Sequence, residues 1–113
     1  MDELTWIQNW YAEQCNGDWE HCYGITIENL DNPGWKVDIP LTDTDLEEKS
    51  FQPVDVKRSE QDWMKCWTEM GWETGEKALG HPPNVLYFRA FCGTHNLIEV
   101  LKVFRTWSES EPL

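Results

Sequence analysis

Residues 23–42 read YGITIENLDNPGWKVDIPLT, and the fold is decided here. Over residues 21–30, Tyr23, Ile25 and Ile27 alternate with Thr26 and Glu28, the period of two that marks a half-buried strand. Asn32-Pro33-Gly34 follows at once. Proline presets φ for the second position of a turn, and glycine accepts the positive φ that a type II turn needs next. Beyond it, Trp35, Val37, Ile39 and Leu41 alternate with Lys36, Asp38, Pro40 and Thr42, so the whole stretch predicts a β-hairpin. Pro40 has no N–H to donate to a ladder, which places that end of the hairpin at a sheet edge.

Upstream, Leu4, Ile7, Trp10, Tyr11 and Gln14 recur at helical spacing, Trp6 widens the stripe, and Asn16-Gly17 provides a stop. A helix over residues 3–15 follows. Downstream, TDTDLEEKS is expected as an exposed loop or a single helical turn. Val54 and Val56 mark a third strand, and a fourth starts at Trp63, with Trp63, Lys65 and Trp67 facing away from Met64, Cys66 and Thr68. Gly71, Gly75, Gly80, Pro82 and Pro83 make an irregular excursion over about 69–84. Residues 85–92 form a fifth strand. Leu97, Ile98, Leu101, Phe104 and Trp107 then outline an amphipathic helix, with Asn96 and Glu99 at capping-box spacing. The expectation is one α+β domain spanning 1–113, an antiparallel sheet of about five strands flanked by an N-terminal and a C-terminal helix.

The 113 residues carry 24 Leu, Ile, Val and Phe, a share at which highly charged chains approach disorder. Eight Trp and three Tyr reverse that reading, since each aromatic ring buries roughly 150–250 Å². The net charge is −12, and it is uneven: 13 of the 21 acids lie in residues 1–56 against Lys36 and Lys49 alone. Such a field repels phosphate backbones and anionic membranes and steers basic partners inward. Direct binding to nucleic acid or membrane is therefore not expected. No apolar run is long enough to span a bilayer, and Met1-Asp2-Glu3 does not open a signal peptide. The expected location is the cytoplasm, with Cys15, Cys22, Cys66 and Cys92 as free thiols.

Cys92-Gly93-Thr94-His95 has C-x2-H spacing, and Cys15, His21 and Cys22 would be needed to complete a zinc site. Strong zinc signatures bring two close pairs of ligands, and only one is present here. Cys22 and Cys92, placed within predicted strands, read as core fillers. A nucleophilic cysteine needs a neighbouring base or cation to lower its pKa, and the net negative surroundings oppose that. Gly93 stands outside any phosphate-cradling pattern. No cofactor, metal ligand or catalytic residue is assigned. Asp43-Thr44-Asp45-Leu46-Glu47-Glu48 is either a solvated face or a landing site for a partner's Lys and Arg. Trp19, between Asp18 and Glu20, is expected as an exposed aromatic anchor.

The stretch LTWIQNWYAEQCNGDWEHCYGITIENLDNPGWKVDIPLTDTDL, from Leu4 to Leu46, resembles the Immunity protein 53 family of bacterial polymorphic-toxin systems. NGDWEH followed by DNPGW is its most specific part, because turn chemistry alone does not demand both tryptophans. The ending is similar too, through Phe88, Gly93, Asn96-Leu97, Glu99 to Leu101, Phe104 and Trp107; Asp62-Trp63 and Cys66 agree more loosely. The segment from Glu69 to Tyr87 is longer than the family pattern. The resemblance implies an antidote that binds a cognate toxin and catalyses nothing. A basic nuclease is one such toxin, its phosphate-binding positions occupied by carboxylates. The expected interface is Asp18, Trp19 and Glu20 in one loop and Asp43, Asp45, Glu47 and Glu48 in another. The rival readings are a small thiol- or zinc-dependent enzyme built on Cys92 and His95, and a Trp-rich module binding a ligand or adaptor.

Overall fold

The computed structural model describes residues 1–71 and 84–111. In chain order these form α1 (Glu3–Gln14), α2 (Trp19–Cys22), β1 (Thr26–Leu30), β2 (Gly34–Pro40), β3 (Val54–Lys57), β4 (Trp63–Gly71), β5 (Val85–Cys92) and α3 (Leu97–Glu109). The strands build one sheet in the order β1-β2-β5-β4-β3, and every neighbouring pair is antiparallel. With α1 and α3 beside it, the architecture is the α+β arrangement expected from the sequence.

The hairpin forms, with two local differences. Residues 21–22 belong to α2 rather than to the first strand, which is exposed from Thr26 to Asn29 instead of half-buried. Gly34 lies opposite Leu30, so residues 31–33 make the connection and Gly34 opens β2 rather than occupying the third position of a type II turn. A Cβ at Gly34 would collide with the Cys92 carbonyl, which is why glycine is required there. Pro40 pairs with Tyr87 of β5, whereas β1 reaches β2 only as far as Asp38. The Leu41 amide donates to the Leu86 carbonyl at 2.7 Å. In an antiparallel ladder the residue before it faces the other side, so Pro40 turns its missing N–H to the side on which the β1 ladder has already ended. The strand is internal, but the proline sits at its unpaired corner.

On the helix-covered face of the sheet, Val37, Ala90 and Cys66 share one cross-strand row, and Ile39 and Phe88 share the next. All five are almost fully buried. Phe104 of α3 gathers the core around it: ring centroids lie 5.1 Å from Phe88, 5.2 Å from Trp10, 5.9 Å from Trp6 and 6.0 Å from Trp107. The edge-on geometries suit the ring quadrupoles. On the opposite face, Trp63 and Trp67 are half-buried and Lys65 is exposed, while Met64 and Cys66 point inward. Arg89 holds Asp38 at 3.1 Å and Glu69 at 3.0 Å across this outer face.

Of the excursion expected over 69–84, residues 69–71 instead continue β4, and residues 72–83 lie outside the described residues. Asn96 occupies the N-cap position of α3, but its side chain makes no capping bond. Its amide nitrogen instead donates to Asp62 at 2.9 Å and to Glu99 at 3.0 Å, and its oxygen accepts from the Trp63 amide at 3.4 Å. The capping-box residues meet side chain to side chain, since the 58–63 segment offers Asn96 better-placed partners than the helix end does.

Candidate functional site

The first acidic loop is organised by polar side chains that close on their own backbone. The Asn16 side-chain oxygen accepts from the amides of Asp18 at 3.0 Å and Trp19 at 2.9 Å. The Glu20 carboxylate reaches back to the Asn16 amide at 2.9 Å and the Gly17 amide at 2.9 Å. Gly17 takes φ +93°, a left-handed conformation that glycine tolerates. Its own backbone amide first, and then those of Asn16 and Gly17, hold the Glu20 carboxyl below the usual range. The result is the single turn α2.

Trp19 corrects the expectation of an exposed anchor: it is only 2% exposed. Its ring packs against Trp10 at 6.2 Å, Tyr11 at 6.0 Å and Tyr23 at 5.5 Å. Its indole N–H donates to the Thr42 carbonyl at 3.1 Å. On a helical turn adjacent residues point in different directions, so acidic neighbours in sequence say little about where the indole goes. Here the Asp18 carboxylate faces water, that of Glu20 turns back onto the loop amides, and the ring enters the core with its one polar atom satisfied.

The second acidic loop, 43–48, is pinned from below by Leu46, which is 5% exposed. The Thr44 hydroxyl donates to the Leu41 carbonyl at 2.6 Å and accepts from the Leu46 amide at 3.1 Å. The Glu47 carboxylate accepts from the Asp43 amide at 3.1 Å, and Asp43 has φ +62°. Lys49, the cation next in line, turns away. Its ammonium donates to the carbonyls of Trp107 at 2.8 Å and Ser110 at 2.5 Å, closing the C-terminus of α3.

The two loops meet. Besides the indole bond to Thr42, the Tyr23 hydroxyl donates to the Asp43 carboxylate at 2.8 Å. Burial and then this carboxylate push the Tyr23 phenol well above its ordinary range. The Cys22 thiol is raised by burial, with Asp18, Asp43 and Glu20 adding to it, so acids from both loops bear on one small region. Among the described residues, none of Asp18, Glu20, Asp43, Asp45, Glu47 and Glu48 takes part in an ion pair. Glu20, Asp43 and Glu47 hold the loops through hydrogen bonds. Asp18, Asp45 and Glu48 are exposed and make no hydrogen bond through their carboxylates. Tyr23 was missed as a site residue, since in sequence it reads as one more apolar position of the hairpin.

Cys92 is fully buried and His95 is exposed in the loop after it. Burial pushes the Cys92 thiol up to about 11 and that of Cys66 up to about 12, opposite to what a nucleophilic thiolate needs. All four cysteines are free. Among the described residues, no group of three or more His, Cys, Asp or Glu side chains is placed to hold a metal ion. Nor is any described helix long and apolar enough to cross a membrane.

No curated protein and no solved structure matches the chain. The family model described as Immunity protein 53 matches residues 4–109, nearly the whole length, and the chain belongs to that family.

Proposed function

We propose that this immunity-family protein neutralises a cognate toxin by binding it, with the acidic face of α2 and the 43–48 loop laid over a basic cleft. The observation that carries this reading is the set of six carboxylates on two interlocked loops that make no ion pair among the described residues. Asp18, Asp45 and Glu48 are the carboxylates available to Lys and Arg of the toxin. Glu20, Asp43 and Glu47 keep the loops in shape. Trp19 contributes from beneath, as the packed support of both loops. A carboxylate array of this kind competes with phosphate for the same cations, so a nuclease cleft is the best-fitting target. Clustered like charge also accelerates the approach of a basic partner, an effect that salt weakens. Inhibition in this form is occupancy, and requires neither a cofactor nor a chemical step.

The test is co-expression with the toxin encoded by the adjoining reading frame, scored by survival and by co-purification at low and high salt. Rescue with a complex that forms more slowly at high salt is the expected result. Rescue with salt-independent association would remove the acidic face from the interface. A toxin that is neither neutralised nor bound would overturn the antidote reading.

A further inference from the structure

Beside the acidic face lies an apolar groove of about 400 Å³ between α1 and the segment entering β1, lined by Ile7, Gln8, Tyr11, Tyr23, Gly24 and Ile25. Its origin is the width of the apolar stripe on α1. At about 100° per residue, Trp6, Trp10, Ile7, Tyr11 and Leu4 spread over about 160° of the helix surface. Trp6 and Trp10 use one edge of that arc on Phe104. The other edge is only partly covered: Tyr11 meets Trp19 yet stays 37% exposed, and Leu4 is 53% exposed. Across the groove β1 adds little cover, with Ile27 also 37% exposed.

Two walls of the groove belong to the acidic face. Tyr11 packs on Trp19, and the Tyr23 hydroxyl ends on Asp43. An apolar trough and a carboxylate cluster therefore share residues, and the pair specifies more than either does alone. We infer that the groove receives an apolar side chain carried on a Lys/Arg-rich segment of the toxin, the flanking cations settling on the acidic loops. This rests on the toxin-binding reading above and names the chemistry of the segment bound. The division of labour follows: charge sets how fast the partners meet, and the desolvated groove sets how long they stay.

Gln8 is the position to test, being exposed on the groove wall with a side chain that makes no hydrogen bond among the described residues. Gln8→Lys places a cation among the partner's cations, and Gln8→Glu offers them another carboxylate. Dissociation from the adjoining-frame toxin is expected to accelerate at least about tenfold in Gln8→Lys and to change no more than about twofold in Gln8→Glu. In a chain of net charge −12 the lysine variant relieves self-repulsion, so an unchanged or higher urea midpoint is expected, and that measurement separates lost binding from a weakened fold. Unchanged dissociation in both variants, with wild type bound, would overturn the groove and leave the antidote reading standing. Equal acceleration in both would overturn the cationic segment. A dimer of the free protein in sedimentation, broken by Gln8→Lys, would give the groove to a second copy and overturn the proposal. Failure of wild type to bind the toxin would instead remove the reading on which the inference rests.

Discussion

At the start of α3, Arg58 holds Asp62 at 2.9 Å and Glu99 at 2.6 Å, and the Asn96 amide bridges the same two carboxylates. At the end of that helix, Arg105 pairs with Glu3 and Glu109. Around α2 and the 43–48 loop the same residue types make no ion pair among the described residues, and Lys49, next to the loop in sequence, is turned onto carbonyls of the α3 C-terminus. The first region uses acids to join elements of the chain to each other. The second uses some acids to shape its loops and leaves the others facing water, although a few lysines there would have lowered the self-repulsion of a −12 chain. A charge count does not separate these two uses; the ion-pair pattern does.

The most forceful way to break this contrast is to reverse the free acids. The triple variant Asp18→Lys, Asp45→Lys, Glu48→Lys is expected to associate with the toxin about 10- to 100-fold more slowly at low salt. The gap should narrow as salt rises, with the urea midpoint unchanged or higher. Stopped-flow association at two ionic strengths measures this. An unaltered rate would place the interface elsewhere.

The next test acts on the internally paired region. Asn96 is 5% exposed and joins the 58–63 segment to α3 through three hydrogen bonds. Asn96→Ala leaves the Trp63 amide without that acceptor and is expected to cost about 1–3 kcal/mol, read as a lower urea midpoint. Association with the toxin should be unaffected under native conditions. A large change in association rate would mean that the two regions are not separable.

This contrast was partly legible in the sequence. Alternation at Trp35, Val37 and Ile39 and over residues 85–92 suffices for strands because each has one face against the helices and the opposite face outward. The same period separates Met64 and Cys66 from Trp63 and Trp67, but that the first pair is the buried one is seen only in the structure. Helix α2 was not legible: four residues are too few for a helical period, and the turn is held by Asn16 and Glu20 contacts that no pattern announces. The excess of acids in the first half was visible at once. That the two loops touch was not, because the link runs from Trp19 and Tyr23 to Thr42 and Asp43, some twenty residues away. A signal for the groove did exist, in an apolar arc on α1 wider than one packing face can cover.

The smallest expected effect concerns acid, and it sharpens the contrast at single residues. The Arg58 guanidinium and the Asn96 amide hold the Glu99 carboxyl below its ordinary value of 4.5, and the same two groups hold Asp62 below 3.8. A carboxyl depressed in the folded state stabilises that state above its unfolded pKa, and the contribution disappears as pH falls through the lower, folded value. Glu99 has a side chain 36% exposed and Arg58 one 47% exposed, so solvent screening keeps the contribution modest. Glu99→Gln removes the titration while keeping an acceptor for Asn96. Wild type should therefore exceed Glu99→Gln in urea midpoint at pH 6, and the difference should shrink towards pH 3 as the wild-type carboxyl takes up its proton. A gap constant across that range would show that Glu99 acts through hydrogen bonding alone, and that its charge is as idle within the fold as those of Asp18, Asp45 and Glu48.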